Sequence, residues 1–513
     1  MTKKINILQI GGDDLEFLFE YEDNINIDYL NPLLFTFNND YLKAIEHLLK
    51  DLDSFNLVFI QTEYSKNLID VLKLVSIPHN TYIDGKYWCD SFEKDPIIKK
   101  KLIKPIYYKD TNELLIRLKA SAFNKQYGDK ISPISAEVNP KFNGSIEYVG
   151  NKELILTGKF GKNLTPILSW NQNLVYDKNM IIQIWPEFFV EGDIELEYII
   201  RLIPFGSVEH NTDVITISMD NLKSPIELMP RNYNANISIT VKAKGEGTAH
   251  FRAVHKRWSR SGMGEFIMGG QRFNDDKREE FIYYFHPGDL KPPLNVYFSG
   301  YRTAEGFEGF FMMNSLNAPF LLIGDPRIEG GSFYIGSEDY ENAINNIIKK
   351  TLRQLNFDED DLILSGLSMG SFGALYYGAQ LNPKAIVVGK PLVNLGTIAK
   401  NMRLKRPGDF GTSLDILVAQ EKSLNEKSIQ NMNRKFWEKF HVPSIKNITF
   451  AIAYMENDDY DDIAYENLMA TFNQFNSHIM TKSVPGRHND DSPTINSWFI
   501  NFFHLILQKK FGR

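Results

Sequence analysis

From residue 290 onward the chain alternates short apolar runs with helical stretches, and this alternation restricts its fold more than any other feature. LNVYFSG (294–300), FLLIGD (320–325), DLILSG (361–366), KAIVVGK (384–390), ITFAIAYM (448–455) and HIMTKSV (478–484) read as strands. Between them lie helical patterns such as SEDYENAINNIIKKTLRQL, which opens on a serine cap, IAYENLMATFNQF and PTINSWFINFFHLILQKK. Several of the strands are apolar at nearly every position and so need cover on both faces. The pattern predicts a parallel sheet flanked by helices over 290–513, with a helical insertion at about 396–440.

Upstream the pattern changes twice. Residues 1–130 predict an N-terminal α/β region: KINILQI closes on Gly11-Gly12, and a helical stretch DYLKAIEHLLKDL precedes a second strand, NLVFIQT. The glycine pair does not match the dinucleotide fingerprint and reads as a strand-to-loop turn. Residues 135–285 hold SIEYVG, ELILTGKF, MIIQIWPEFFV, IELEYIIRLI, VITISM and ISITVKAKG, separated by Gly, Pro, Asn and Asp. Strands at this spacing predict an antiparallel, sandwich-like domain. Near its end Arg252, His255, Lys256, Arg257 and Arg260 surround Trp258. The expected reading is a solvated strand face with one aromatic anchor; the alternative is a grip for an anionic or sugar ligand.

Composition excludes several classes. The 57 Lys and Arg against 64 Asp and Glu leave a formal charge of −7, unlike a dedicated nucleic-acid binder. The single cysteine, Cys89, allows no internal disulfide and suggests a reducing, cytoplasmic setting. Neither a signal peptide nor an apolar run of the ~18 residues a transmembrane helix needs is visible. The ten histidines show no metal-ligand spacing, and no metal is expected.

Gly366-Leu367-Ser368-Met369-Gly370 fits G-x-S-x-G. Such a match arises by chance in about one in ten chains of this length. It becomes informative when it joins a strand to a helix, as it does here, and the expected fold of 290–513 is then α/β-hydrolase-like. A serine hydroxyl needs a base to take its proton. In this fold the acid follows the serine and the histidine comes last. The strand at 448–455 runs into ENDDYDD, with Glu456, Asp458 and Asp459; the strand at 478–484 runs into PGRHNDD, with His488. His488 is the expected base. Asp458 is the expected acid, since a side chain a few residues past the strand can reach back; Glu456 is the next candidate and Asp459 the third. Met369 N–H is the expected first oxyanion donor, and Gly300 or Tyr301 the second.

Taken together, ILQIGG, RWSRSGMGEFIMGGQRF, PGDLKPPLNVYFSGYRTAEGFEGFF, GLSMGSFGALYYGA, AYMENDDYD and PGRHND give the whole chain a resemblance to a family. It resembles the second accessory secretory protein of the accessory Sec system, which exports serine-rich-repeat adhesins from Gram-positive bacteria. The resemblance implies an acyl enzyme that O-acetylates N-acetylglucosamine (GlcNAc) on the adhesin, with Ser368 as nucleophile, His488 as base and Asp458 at the acid position. It also implies a cytoplasmic complex with the first and third accessory secretory proteins, peripheral at the membrane beside the accessory Sec translocase motor. No tightly bound cofactor is expected; acetyl-CoA is a candidate acetyl donor without a motif of its own in the chain. A carbohydrate acetyl esterase and a mainly non-catalytic export scaffold are the alternatives.

Overall fold

Three sheets form in succession along the chain. The computed structural model describes residues 5–16, 25–33, 55–121, 128–207, 213–263, 270–405 and 411–513, with most of 42–49. Five parallel strands make the first sheet, in the order Ile25–Leu30, Ile5–Gly11, Leu57–Gln61, Thr81–Asp84, Lys104–Ile106. The predicted helix DYLKAIEHLLKDL lies partly outside the described residues; 42, 43, 45–47 and 49 are helical. Gly11 and Gly12 have φ of 77° and 70°. A Cβ on Gly12 would come within 2.4 Å of the Gln61 side chain. The Gln9 amide ties the turn down through the carbonyls of Gly11 (2.9 Å) and Asp13 (2.7 Å).

The second sheet is antiparallel, but its strands are longer than the sequence pattern implies. MIIQIWPEFFV and IELEYIIRLI run together as one 24-residue strand, Ile181–Pro204, paired along its length with the 25-residue strand Ala235–Ser259. Ten extended residues span about 33 Å, yet the rings of Phe188 and Tyr198 lie 5.3 Å apart. The strand therefore folds over on itself. At the bend Gly192 pairs with Gly247 and Ile194 with Gly245, where a Cβ on Gly245 would meet the Asp193 carbonyl at 1.9 Å. The two layers are halves of the same strands, closed over a core that includes Leu154, Ile184, Leu196, Ile200 and Val241.

Eight strands form the third sheet: Gln271–Asn274, Glu280–His286, Phe320–Gly324, Leu294–Phe298, Leu362–Leu367, Ala385–Gly389, Thr449–Met455, His478–Val484. The first two pair antiparallel and the rest run parallel. Gln271–Asn274 and Glu280–His286 read in sequence as part of the central region, because a hairpin's local pattern does not reveal which sheet it joins. Alternate residues along the buried strands serve two separate cores. Phe298, Leu364, Ile386 and Ile452 face one set of helices, while Tyr297, Ile363, Val387 and Ala453 face the helix Ser492–Ile506. No helix among the described residues is long and apolar enough to cross a membrane.

The basic segment is neither a solvated strand face nor a ligand grip. Arg252, His255, Lys256, Arg257 and Arg260 are all buried. Arg252 pairs with Glu153 and Glu279 (both 2.8 Å), and Lys256 and the Trp258 indole N–H share Asp177 (both 2.7 Å). Arg260 donates to the carbonyls of His79 (2.9 Å) and Ser121 (2.6 Å). Arg257 bonds both Glu280 and Glu305. With Arg272, which donates to Glu280 (3.1 Å), it brings positive charge to His255, Glu280 and Glu305, the His–carboxylate cluster of metal-ligand dimensions among the described residues. Both faces of this strand are covered, and the partners of Arg257 and Arg260 lie 23 to 181 residues away. No local pattern carries that information.

His255 sits between Glu305 (Nδ1···Oε1 2.9 Å) and Glu187 (Nε2···Oε1 3.1 Å). Burial lowers its pKa, but the two carboxylates outweigh burial and hold it up at about 9. The folded chain thus keeps a proton that the unfolded chain releases near 6.5. Between those values folding takes up as much as one extra proton, so stability is expected to fall by up to ~1.4 kcal/mol per pH unit as pH rises. Urea unfolding at about pH 7, 8 and 9 measures that slope, and His255→Gln should flatten it.

Candidate active site

The strand Leu362–Leu367 ends at Ser368 and the helix Met369–Leu381 begins at once. Ser368 has φ 52° and ψ −121°, a conformation that costs a non-glycine residue about 1–3 kcal/mol. Two close approaches explain the flanking glycines. A Cβ on Gly366 would lie 2.2 Å from the Gly370 carbonyl oxygen, and one on Gly370 would lie 2.0 Å from that of Phe298. The turn is held by Ser368 N–H to the Gly389 carbonyl (2.9 Å) and by Ser371, whose hydroxyl donates to the Ser368 carbonyl (2.5 Å).

Ser368 Oγ lies 2.8 Å from His488 Nε2, and His488 Nδ1 lies 2.7 Å from Asp458 Oδ2. His488 is 1% exposed. Three neighbours fix its ring and backbone. Tyr460 stacks on the imidazole (4.1 Å between centroids, 13° between planes), Asp459 Oδ1 accepts the His488 backbone N–H (3.1 Å), and Asp458 takes the ring. The other oxygen of Asp458 accepts the N–H groups of Tyr460 (2.9 Å) and Asp461 (3.3 Å). The structure therefore separates the three candidate acids. Asp458 meets the ring, Asp459 the backbone, and Glu456 is exposed, with its N–H paired to the Val484 carbonyl.

Asp461 anchors this loop from below. It is buried and accepts from Val393 N–H (2.8 Å), Asn394 N–H (2.7 Å) and the Asn394 amide (3.0 Å). Burial pushes its pKa up to about 6 despite those donors, with Asp458 adding to the rise. The Asn394 side chain in turn accepts Trp437 Nε1–H (2.8 Å) from the helix Glu426–Phe440, so the predicted helical insertion is tied to the acid loop. Residues 406–410 of that insertion lie outside the described residues.

Ser368 opens on a cleft of about 480 Å³ lined by Gly300, Tyr301, Glu308, Lys390, Asn489 and Ser492, among others. Met369 opens the helix that follows the serine, which places its peptide beside Ser368. Gly300 differs from expectation: its N–H donates to Glu308 Oε2 at 2.6 Å, so that donor is engaged within the chain. Tyr301, the next residue, lines the cleft, and burial with Glu329 pushes its hydroxyl up to about 12. Lys390 Nζ donates to Ser492 Oγ (3.0 Å), and burial lowers its pKa while Asp458 and Glu308 oppose the shift. Sequence reasoning does not find Glu308, Lys390, Tyr460 or Asp461. Tyr460 and Asp461 stand inside ENDDYDD, yet nothing in that string says which side chain turns inward.

The family model described as accessory Sec system GspB-transporter matches residues 5–513. The chain is 54% identical over 513 residues to the second accessory Sec system protein of Staphylococcus aureus (strain NCTC 8325 / PS 47), spanning 100% of this chain and 98% of that one. It is 38% identical over 519 residues to the protein of the same name from Streptococcus gordonii, spanning 100% of both. Among solved structures it is similar to a chain of the glycosylation associate protein (Gap123) complex from Streptococcus agalactiae, with TM-score 0.88 and 34% identity over 100% of both chains. Matches of this identity along the full length make the assignment direct: the chain belongs to the accessory Sec system GspB-transporter family, that of the second accessory secretory protein.

Proposed function

We propose that the chain is a serine-dependent O-acetyltransferase of the accessory Sec system, acting on GlcNAc of a serine-rich-repeat adhesin before export. The observation that carries the reading is the continuous hydrogen-bonded line Ser368–His488–Asp458, with distances of 2.8 and 2.7 Å. Ser368 Oγ attacks the acetyl carbonyl of the donor while His488 Nε2 takes its proton. The carbonyl oxygen becomes an oxyanion facing Met369 N–H and the Tyr301 end of the loop after Leu294–Phe298. Collapse breaks the bond to the donor's leaving group, which takes the proton from His488 and departs. A sugar hydroxyl then attacks acetyl-Ser368, passes its proton to His488, and leaves as the acetyl ester when Ser368 is re-protonated. Asp458 holds the imidazole in the tautomer with hydrogen on Nδ1 throughout.

The polar lining of the cleft suits a hydroxylated acceptor, with Asn489, Ser492, Lys390 and Glu308 offering donors and acceptors beside the rings of Tyr301 and Tyr460. Acetyl-CoA is the donor to test first. With water as acceptor the same machinery is an acetyl esterase. We extend to this chain an assembly with the first and third accessory secretory proteins, beside the translocase motor, on the ground that the Streptococcus agalactiae relative was solved as the Gap123 complex.

The test is a two-step incubation read by intact-protein mass spectrometry. Acetyl-CoA should add one acetyl group at Ser368, and a GlcNAc-modified serine-rich peptide should then remove it and gain it. Release of the acetyl group as acetate, with an unmodified peptide, would favour the esterase. No acetyl-Ser368 with acetyl-CoA or an activated acetyl ester would count against an acyl enzyme altogether.

A further inference from the structure

The loop that carries Gly300 and Tyr301 is held from outside its own sheet. Its near end is closed by Glu308, whose carboxylate accepts Gly300 N–H (2.6 Å) and the Tyr297 hydroxyl (3.2 Å), and whose N–H donates to Ser299 Oγ (3.1 Å). Its far end is Glu305, 3% exposed. The Glu305 carboxylate accepts Arg257 Nε (2.8 Å) and NH2 (2.6 Å) and meets His255 Nδ1 (2.9 Å), with Lys130 Nζ at 3.9 Å. Its backbone N–H donates to the Gly128 carbonyl (3.2 Å), and a Cβ on Gly128 would lie 2.6 Å from Glu305 Cβ. Arg257, His255, Lys130 and Gly128 all belong to strands of the central sheet.

We propose that Glu305 is a positioning residue for the oxyanion side of the site, and that His255 and Arg257 of the central sheet clamp it there. The inference rests on the acyl-enzyme reading of Ser368. Between the two fixed ends lie only four residues, Tyr301 to Ala304. A shift at Glu305 is passed to Tyr301 because Glu308 and Arg302, whose N–H donates to the Gly330 carbonyl (3.2 Å), leave the loop little freedom to absorb it. A buried ion cluster contributes little net stability over an apolar replacement, and holding one geometry is its best-attested use. A misplacement of about 1 Å at a reacting centre can cost about 10²-fold in rate. The basic segment thereby acts on the reaction without touching substrate.

Glu305→Asp in the full chain keeps the charge of the cluster and shortens its reach by one methylene. The expected result is a folded protein whose kcat for an activated acetyl ester falls about 10- to 100-fold while KM stays within about threefold. Affinity for a boronic acid, which forms a tetrahedral adduct on Ser368, should fall by the same factor as kcat. Active-site titration with a fluorophosphonate counts competent Ser368 in each sample. Arg257→Lys, probing the same contact from the other side, should show the same split, and it decides the matter if Glu305→Asp does not fold. Unchanged kcat in a variant that folds, or a loss that only tracks the titrated serine, overturns the clamp. A wild-type chain that takes no fluorophosphonate and turns over no ester overturns the acyl-enzyme reading and the clamp with it.

Discussion

Ser368→Ala is expected to reduce acetyl transfer by at least about 10³-fold, because the nucleophile of a triad contributes as part of a unit and its loss removes the covalent route. The fold should tolerate the change. Alanine keeps a Cβ in the same left-handed conformation, and the lost interaction is one hydrogen bond to His488. The decisive measurement pairs two readouts in cells: O-acetyl groups on the adhesin glycan, and export of the adhesin together with capture of the partner proteins. Acetylation that persists with Ser368→Ala sinks the enzyme reading. Loss of acetylation with export intact, the expected result, separates the chemistry from any scaffold role. Loss of both in a folded protein would tie export to the modification itself.

Asp458→Asn should cost about 10²- to 10⁴-fold in kcat with little change in KM. The amide can still accept the N–H groups of Tyr460 and Asp461, so the loop should hold. It can no longer stabilise the imidazolium, and an NH2 turned toward His488 Nδ1 selects the wrong tautomer. Asp459→Asn should cost less than about tenfold, since its amide oxygen still accepts the His488 backbone N–H. Glu456→Gln should be within about twofold of the wild type, because that side chain is exposed and its backbone bond is unaffected. A ranking with Glu456→Gln as the most damaging of the three would overturn the assignment of the acid.

These expectations depend unequally on sequence and structure. Ser368 and His488 are legible because each lies at the carboxyl end of a strand whose apolar run marks it, in the order an α/β-hydrolase uses. Among Glu456, Asp458 and Asp459 the sequence offers only an order of preference, with Asp458 first for its reach back from the strand end, because all three fall within four residues; the loop's hydrogen bonds put Asp458 on the ring. Gly300 looks like a donor from its place after the strand, yet Glu308, eight residues on, folds back to take its N–H. The basic segment misleads for the same kind of reason. Five cations near one tryptophan look solvent-facing until Glu153, Glu279, Glu280, Glu305 and Asp177, and for Arg260 the carbonyls of His79 and Ser121, arrive from elsewhere in the chain.

Everything periodic and local in this protein is written in its amino acids: the buried parallel strands, the strained serine turn that only flanking glycines permit, and the order serine, acid, histidine. Pairing at a distance is written only in the folded chain. There two central strands fold over on themselves, the hairpin at 271–286 joins the third sheet, Asp458 rather than its acidic neighbours meets the imidazole, and a string of cations becomes a set of buried contacts with distant carboxylates and carbonyls. Backbone periodicity is set by neighbours a few residues apart and survives in the string. A buried charge is stabilised by whichever opposite charge the fold brings within about 3 Å, and that partner has no fixed spacing to read.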